Sequence, residues 1–189
     1  MFVSDLRHFV DLPDDTPRPA RRMAEHLSSI VRAATAAEPA RRWVSAIPCW
    51  RRPGNLPCSG TIAVTRREVP ADIEWACTAC YDDGVISGWE HSAFDLRADT
   101  REPHRSGQDQ VVLRTRAEVA ATLRTLTLID TATERLVFTA TVGDGHVELR
   151  GTDDDFDELG DHVAAEANHT VDRRRRKRLD TAFDALRRS

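Results

Sequence analysis

Apolar positions follow a helical period near the start of the chain. The first stripe begins after Pro17, recurs at intervals of three and four residues, and comprises Met23, Leu27, Ile30, Val31 and Ala34. Pro39 ends the pattern, because a proline disfavours helical geometry in the residue before it. Residues 1–48 are therefore predicted to form an N-terminal segment built around one amphipathic helix.

Shorter apolar segments in the middle of the chain have the composition and spacing typical of strands. The predicted strands cover residues 43–47, 61–67, 72–76 and 84–89. The two central strands are predicted to form a hairpin joined near Pro70. Beyond His91 the chain becomes polar and includes Pro103 and Gly107, so residues 92–110 are interpreted as a linker.

Residues 111–189 combine both periodicities and are predicted to form a C-terminal α+β region. Its predicted strands cover residues 111–114, 136–142 and 146–150, the last two joined by a glycine-bearing turn. Its predicted helices cover residues 117–126, a segment that begins at Asp153 with Thr152 as its cap, and residues 172–187. Thr115 and Glu118 have the spacing of a capping box for the first of these helices.

All four cysteines of the chain lie in one short window, at positions 49, 58, 77 and 80. Cys77 and Cys80 form a Cys-x-x-Cys step at the end of a predicted strand. Four thiolates match the closed, tetrahedral coordination of structural zinc, in which no position is left open for a substrate. We therefore predict that Cys49, Cys58, Cys77 and Cys80 bind one structural Zn²⁺ ion within a module of residues 49–91.

This module has the general plan of a zinc ribbon, with two cysteine knuckles and about three short antiparallel strands around one ion. Two features depart from that plan. Eight residues separate Cys49 from Cys58, and Tyr81 follows the second knuckle, where glycine is common because the backbone often adopts positive φ. Three alternatives stay open: iron as the metal, four thiols without a metal, and His91 in place of one cysteine.

The predicted fold class is α+β. A small antiparallel, zinc-ribbon-like β module is flanked by the N-terminal helix and by the C-terminal α/β region. The division is residues 1–48, 49–91, 92–110 and 111–189.

Two blocks of the sequence resemble an uncharacterised family of bacterial proteins. The first contains residues 49–54 (Cys-Trp-Arg-Arg-Pro-Gly), residues 58–60 (Cys-Ser-Gly) and residues 73–89, which include the Cys-x-x-Cys step. The second is residues 164–169 (Ala-Ala-Glu-Ala-Asn-His) with the arginine-rich sequence that follows. The resemblance implies a four-cysteine ribbon-like module joined to a small α/β region, and it implies no activity.

The net charge and the hydropathy of the chain bear on what it binds and on where in the cell it is expected. The net charge of -4 argues against a dedicated nucleic-acid-binding protein. No apolar run is long enough to span a membrane, and residues 1–10 lack the apolar stretch of a signal peptide. A cytoplasmic, reducing location is therefore expected, in which clustered cysteines bind metals more often than they form disulfides.

Two arginine clusters indicate an alternative function, nucleic-acid binding. They comprise Arg41, Arg42, Arg51 and Arg52, and Arg173, Arg174, Arg175 and Arg176. The first cluster lies near Trp43 and Trp50, and cations beside aromatic rings bind single-stranded nucleic acids through charge and stacking. In the other interpretation, the second cluster forms a solvated face of a helix. The tryptophans then belong to a small hydrophobic core.

A second alternative is a metalloenzyme. Glu158, His162, Glu166 and His169 lie close to one face of a predicted helix. The chain contains no glycine-rich phosphate loop, no Gly-x-Ser-x-Gly motif and no His-Glu-x-x-His motif. These observations favour a zinc-stabilised binding or regulatory protein without catalysis. The expected partner is a macromolecule, either a protein or a nucleic acid. The sequence leaves the oligomeric state of this chain open.

Overall fold

A computed structural model describes residues 1–38, 41–97, 110–127 and 129–187. The chain divides into two compact units, Met1–Asp99 and Thr100–Ser189. Each unit combines helices with a β-sheet, which confirms the predicted α+β class. Residues 98–109, most of the predicted linker, lie outside the described residues. The zinc-ribbon assignment and the division into four segments stay predictions.

A mixed sheet forms the base of the first unit. Its strands are β1 (Phe2–Asp5), β2 (Trp43–Pro48), β3 (Thr61–Arg66), β4 (Ile73–Cys77) and β5 (Asp83–Ser87). Strands β2 to β5 pair antiparallel in chain order, and β1 pairs parallel with β5. The sequence pattern did not predict β1, because Phe2 and Val3 in this short strand are both exposed.

As far as the first unit is described, its α-helices are α1 (Arg7–Val10) and α2 (Arg18–Ala36). The predicted apolar stripe of α2 is confirmed: Leu27, Ile30 and Val31 are fully buried. This helix contacts β2, β3 and β4. Burial of the stripe against the sheet gives the first unit an apolar core of its own.

An arginine from the sheet holds the end of α2. Arg66, at the end of β3, is 6% exposed, and its Nη1 donates hydrogen bonds to the carbonyl oxygens of Ala34, Thr35 and Ala37 at 3.1–3.2 Å. The last carbonyls of a helix have no partner within the helix. The guanidinium of Arg66 supplies those partners and so fixes the helix to the sheet.

The described residues of the second unit form a three-stranded antiparallel sheet and four helices. The strands are β6 (Val111–Thr115), β7 (Thr141–Gly143) and β8 (His146–Gly151), with β8 between the other two. The helices are α3 (Ala117–Leu123), α4 (Thr131–Phe138), α5 (Asp153–His169) and α6 (Arg173–Leu186). Thr152 and Asp155 form a capping box at the start of α5, so this predicted helix and its cap are confirmed.

Two predictions for the second unit are wrong. Residues 136–138, predicted as part of a strand, belong to α4, because the carboxylate of Asp130 accepts the N–H groups of Ala132 and Thr133 and starts a helix there. Thr115 does not cap α3, because it is buried as the last residue of β6 and the helix begins after Arg116 without a side-chain cap.

Within the part of the chain that the structure describes, no helix is both long enough and apolar enough to cross a membrane.

Candidate metal centre

The four cysteines lie at neighbouring strand ends of the first unit. Cys49 follows β2, Cys58 precedes β3, Cys77 ends β4, and Cys80 lies in the turn before β5. Strand β3 pairs with both β2 and β4, and Ile62 of β3 is in register with Cys77. The strand pairing therefore brings together two pairs of cysteines that are separated in the sequence.

The long segment between Cys49 and Cys58 folds back on itself. A 3₁₀ turn covers Pro53–Asn55, and Gly54 within it has a φ of 62°. The N–H of Cys58 donates to the carbonyl oxygen of Arg51 at 3.0 Å. This closed loop returns Cys58 to the side of Cys49, so the unusual spacing is compatible with one four-cysteine cluster.

The sulfur positions fit a tetrahedron. The Sγ atoms of Cys49, Cys58, Cys77 and Cys80 lie 3.6–3.9 Å from one another. Four thiolates at the usual Zn–S distance of about 2.3 Å occupy tetrahedral corners that are about 3.8 Å apart. The cluster therefore has the dimensions of a four-thiolate metal site. His91 is not part of it.

Backbone N–H groups point at all four sulfurs with one repeated spacing. The N–H of Arg51 donates to Cys49 Sγ at 3.5 Å, that of Gly60 to Cys58 Sγ at 3.4 Å, and that of Ala79 to Cys77 Sγ at 3.3 Å. The N–H of Asp82 likewise favours the thiolate of Cys80. In each case the donor lies two residues after the cysteine, and such donors stabilise thiolates.

The thiols differ in how readily they ionise. Burial opposes ionisation of Cys77, but the N–H groups of Cys80 and Ala79 outweigh it and lower the pKa of Cys77 to about 7. Burial raises the pKa of Cys49 despite the N–H of Arg51. The N–H of Asp82 favours the Cys80 thiolate, but burial and the Cys77 thiol together outweigh it, so the pKa of Cys80 is also raised. Of Cys49, Cys77 and Cys80, Cys77 is therefore the thiol that ionises first.

Gly60 and Tyr81, beside the cysteines, occupy positions where backbone conformation or space restricts the residue type. A Cβ atom at Gly60 would lie 2.5 Å from Cys77 Sγ, so only glycine leaves room for the sulfur. Sequence reasoning missed this role, although Gly60 is two residues after Cys58. Tyr81 has a φ of 58°, as expected for the position after the second knuckle, and its side chain is 87% exposed.

A buried aromatic cluster lies next to the cysteines, and sequence reasoning missed the place of His26 in it. His26 of α2 is 8% exposed, and its ring stacks on Trp50 at 5.7 Å and meets Trp75 edge-on at 6.0 Å. Trp50 directly follows Cys49 in the chain. The helical stripe near His26 could have signalled this contact, because His26 precedes Leu27 on the buried side of α2.

We expect His26 to make folding sensitive to acid. Burial lowers its pKa to about 4, and Asp82 opposes this only in part. In the unfolded chain a histidine takes up a proton near pH 6.5, so between pH 6.5 and 4 protonation favours the unfolded state. The stability that neutral His26 provides above pH 6.5 is expected to fall by roughly 3 kcal/mol by pH 4.

Urea unfolding of the wild type and of His26→Leu at several pH values measures this contribution. The free energy of unfolding of the variant is expected to depend less steeply on pH in this window. His8→Gln, at an exposed histidine, serves as the matched control. Parallel pH profiles for wild type and His26→Leu would contradict the assignment.

The first arginine cluster lies partly along a cleft beside the cysteines. The cleft has a volume of about 410 Å³ and is lined by Trp50, Arg51, Arg52, Pro53, Cys80 and Asp82. Arg51 pairs with Asp82 at 3.6 Å. Arg41 and Arg42 are exposed and are not among the residues that line the cleft.

Half of the second arginine cluster joins two helices. Arg175 pairs with Glu166 and donates to the carbonyl oxygen of Thr125. Arg176 donates to the carbonyl oxygens of Ala167 and Thr170, at the end of α5. Arg173 and Arg174 are exposed. The structure therefore places Arg175 and Arg176 in contacts at the ends of α5 and α6, which neither interpretation of this cluster from the sequence predicted.

The predicted helix face with two histidines does not form one site. Glu166 binds Arg175 and the N–H of Thr127, and His169 Nδ1 lies 2.7 Å from the carbonyl oxygen of Ala165. His162 instead lies 3.1 Å from Asp130, and these two residues group with Glu158 within 4.8 Å. Burial disfavours the charge on Asp130, but hydrogen bonds from Thr133 and His162 lower its pKa to about 2.

Comparisons of the chain with protein-family models, with curated proteins and with solved structures gave no match.

Proposed function

We propose that this chain is a zinc-stabilised binding or regulatory protein without catalytic activity, in which Cys49, Cys58, Cys77 and Cys80 hold a structural Zn²⁺ ion. The observation that carries the proposal is the tetrahedral spacing of the four sulfurs, at 3.6–3.9 Å. Four protein ligands complete the coordination of zinc, so no position is left for a water molecule or a substrate. Iron is the other metal that this ligand set would hold.

The surroundings of the cluster support a structural role for the metal. The repeated N–H donors described above fix the orientation of the cysteines and stabilise their charge, as supporting groups around metal ligands do. The metal would join the loop after β2 to the turn before β5, and these two segments share no strand pairing. The proposal includes the reducing, cytoplasmic location, where the thiols stay available as ligands. On the resemblance to a bacterial family, we also propose that the cysteines belong to a ribbon-like module. The resemblance implies no activity.

Metal analysis by mass spectrometry together with thiol titration tests this proposal. We expect one zinc ion per chain, and four thiols that react only after unfolding. Iron in place of zinc would show as visible absorption by the protein. A chain without metal, with four readily titrated thiols, would overturn the proposal. Two metal ions per chain would favour a second site, for which Asp130, Glu158 and His162 are the candidate ligands.

Nucleic-acid binding is a second candidate function, favoured by the cleft beside the metal centre. Trp50 lines this cleft together with Arg51 and Arg52. An aromatic ring in the same cleft as two cations has the chemistry that binds single strands, because bases stack on such rings and phosphates pair with guanidinium groups. The pairing of Arg51 with Asp82 reduces the charge available to phosphates, so we expect moderate affinity with a strong dependence on salt.

Charge reversal tests this second candidate. Arg51→Glu with Arg52→Glu is expected to weaken binding of a labelled thymidylate single strand and to reduce the salt slope by about 1.4, since each lost phosphate contact removes about 0.7. Fluorescence anisotropy at several salt concentrations measures both effects. The matched control is Arg18→Glu with Arg22→Glu, at two exposed arginines of α2 that do not line the cleft. Unchanged binding by the first variant would contradict this function.

A further inference from the structure

Strand β6 borders an open groove in the second unit. Among the residues that the structure describes, β8 is the only strand that pairs with β6, so the opposite edge of β6 has no strand beside it. The groove has a volume of about 750 Å³. One wall is β6, and the other comes from α3 and α6, through Val119, Thr181 and Ala185. A groove between an edge strand and a helix can accept an extended peptide, which adds one strand to the sheet.

The register of the sheet shows which backbone groups face the groove. Gly143 pairs with His146 across a two-residue turn in which Asp144 and Gly145 both have positive φ, the geometry of a tight hairpin. The N–H and C=O of His146 therefore point to β7, and those of Val147 point to β6, because these groups alternate along a strand.

The same alternation continues into β6. Val147, Leu149 and Gly151 are in register with Thr115, Leu113 and Val111, which therefore exchange hydrogen bonds with β8. The N–H and C=O groups of Val112 and Arg114 consequently point to the open edge. These four groups are the ones that a new strand would use.

The charges along the groove select the kind of peptide. The side chain of Arg114 is 69% exposed although it pairs with Glu148, and Arg116 at the end of β6 is exposed. Asp184 is the single acid among the described residues that line the groove. The balance is positive, so it favours an acidic partner.

We propose that β6 is a docking site for an extended segment of a partner protein in which acidic and apolar residues alternate. The backbone of this segment pairs with Val112 and Arg114. Its apolar side chains face Val119 and Ala185, and its acidic side chains face Arg114 and Arg116. This site uses none of the cysteines and lies in the other compact unit from them, so it names a kind of partner without depending on the metal.

A designed peptide tests the docking site in the full-length protein. The probe is a fluorescein-labelled peptide of alternating valine and glutamate, and binding is followed by anisotropy. Val112→Pro removes one N–H from the open edge, where proline is tolerated in a sheet, and is expected to weaken binding at least about tenfold. Val112→Ile keeps that N–H and is the matched control, with affinity close to that of the wild type.

Separate experiments test the preference for an acidic peptide and the location of the bound peptide. A valine–lysine peptide of the same length is expected not to bind, and Arg116→Glu is expected to weaken the glutamate peptide. Amide chemical shifts of residues 111–115 are expected to move on binding.

Three outcomes would overturn the proposal. They are equal binding of both peptides, binding unaffected by Val112→Pro, and a dimer of the chain that Val112→Pro dissociates, since the last would assign the edge to a second copy. Removal of metal is expected to leave peptide binding intact, so failure here and failure of the zinc proposal are distinguishable.

Discussion

Replacing Cys77 by serine is expected to remove the metal and to destabilise the first unit more than any other single substitution proposed. Structural zinc contributes about 10–16 kcal/mol of apparent binding free energy in peptides that fold only with metal. The first unit also has the apolar core between α2 and the sheet. We therefore expect it to stay partly folded and to lose on the order of 5 kcal/mol.

The measurement for Cys77→Ser combines metal content with chemical unfolding of the wild type and the variant. Ser59→Ala is the matched control, because Ser59 is exposed and lies between Cys58 and Gly60 in the same loop. Chelation of the wild type is expected to reproduce the loss of stability, and added zinc is expected to restore it. Equal unfolding curves for wild type and Cys77→Ser, with or without chelator, would refute a structural metal.

Replacing Arg66 by methionine is expected to cost about 3–5 kcal/mol of the free energy of unfolding. The substitution keeps most of the apolar stem but removes the donors to three carbonyl oxygens at the end of α2. Buried carbonyls without partners carry the full cost of their desolvation. The half-exposed carboxylate of Glu68 also loses its contact with Arg66 at 2.9 Å, but it keeps Arg97 at 3.0 Å, so this loss adds little.

The adjacent arginine provides the control. Arg67 is half exposed and pairs with Glu74 at 2.8 Å, so Arg67→Met is expected to change stability by less than about 0.5 kcal/mol. Thermal and urea unfolding of both variants measure the difference. A similar small effect for both substitutions would mean that the helix end finds other partners. Hydrogen exchange at the last turn of α2 would then be as slow in Arg66→Met as in the wild type.

Local signals in the sequence predicted several elements of the fold. Helix α2 has a regular apolar stripe, and α5 has the Thr152 cap. Both signals lie within the residues of the helix or directly before it. The tight turn at Gly143-Asp144-Gly145 is equally local. Strand β1 was not predicted, since it depends on pairing with β5. Helix α4 was missed although the Asp130 cap that starts it is a local signal.

The candidate metal centre shows the same division. The residue type and the Cys-x-x-Cys spacing identified the ligands, because metal chemistry restricts both. Whether Cys58 could reach Cys49 across eight residues was decided by the loop that closes at Arg51, and the need for glycine at position 60 was decided by its closeness to Cys77.

The sequence by itself determined which residues can ligate a metal, where α2, α5 and α6 lie, and that the chain combines helices with strands. Only the tertiary structure decided which polar groups are already used. Arg66 serves the end of α2, Glu166 binds Arg175, and His26 lies buried against Trp50. The physical reason is that periodicity and capping act over a few residues. Partners far apart in the chain are chosen by strand register and by the burial that packing imposes.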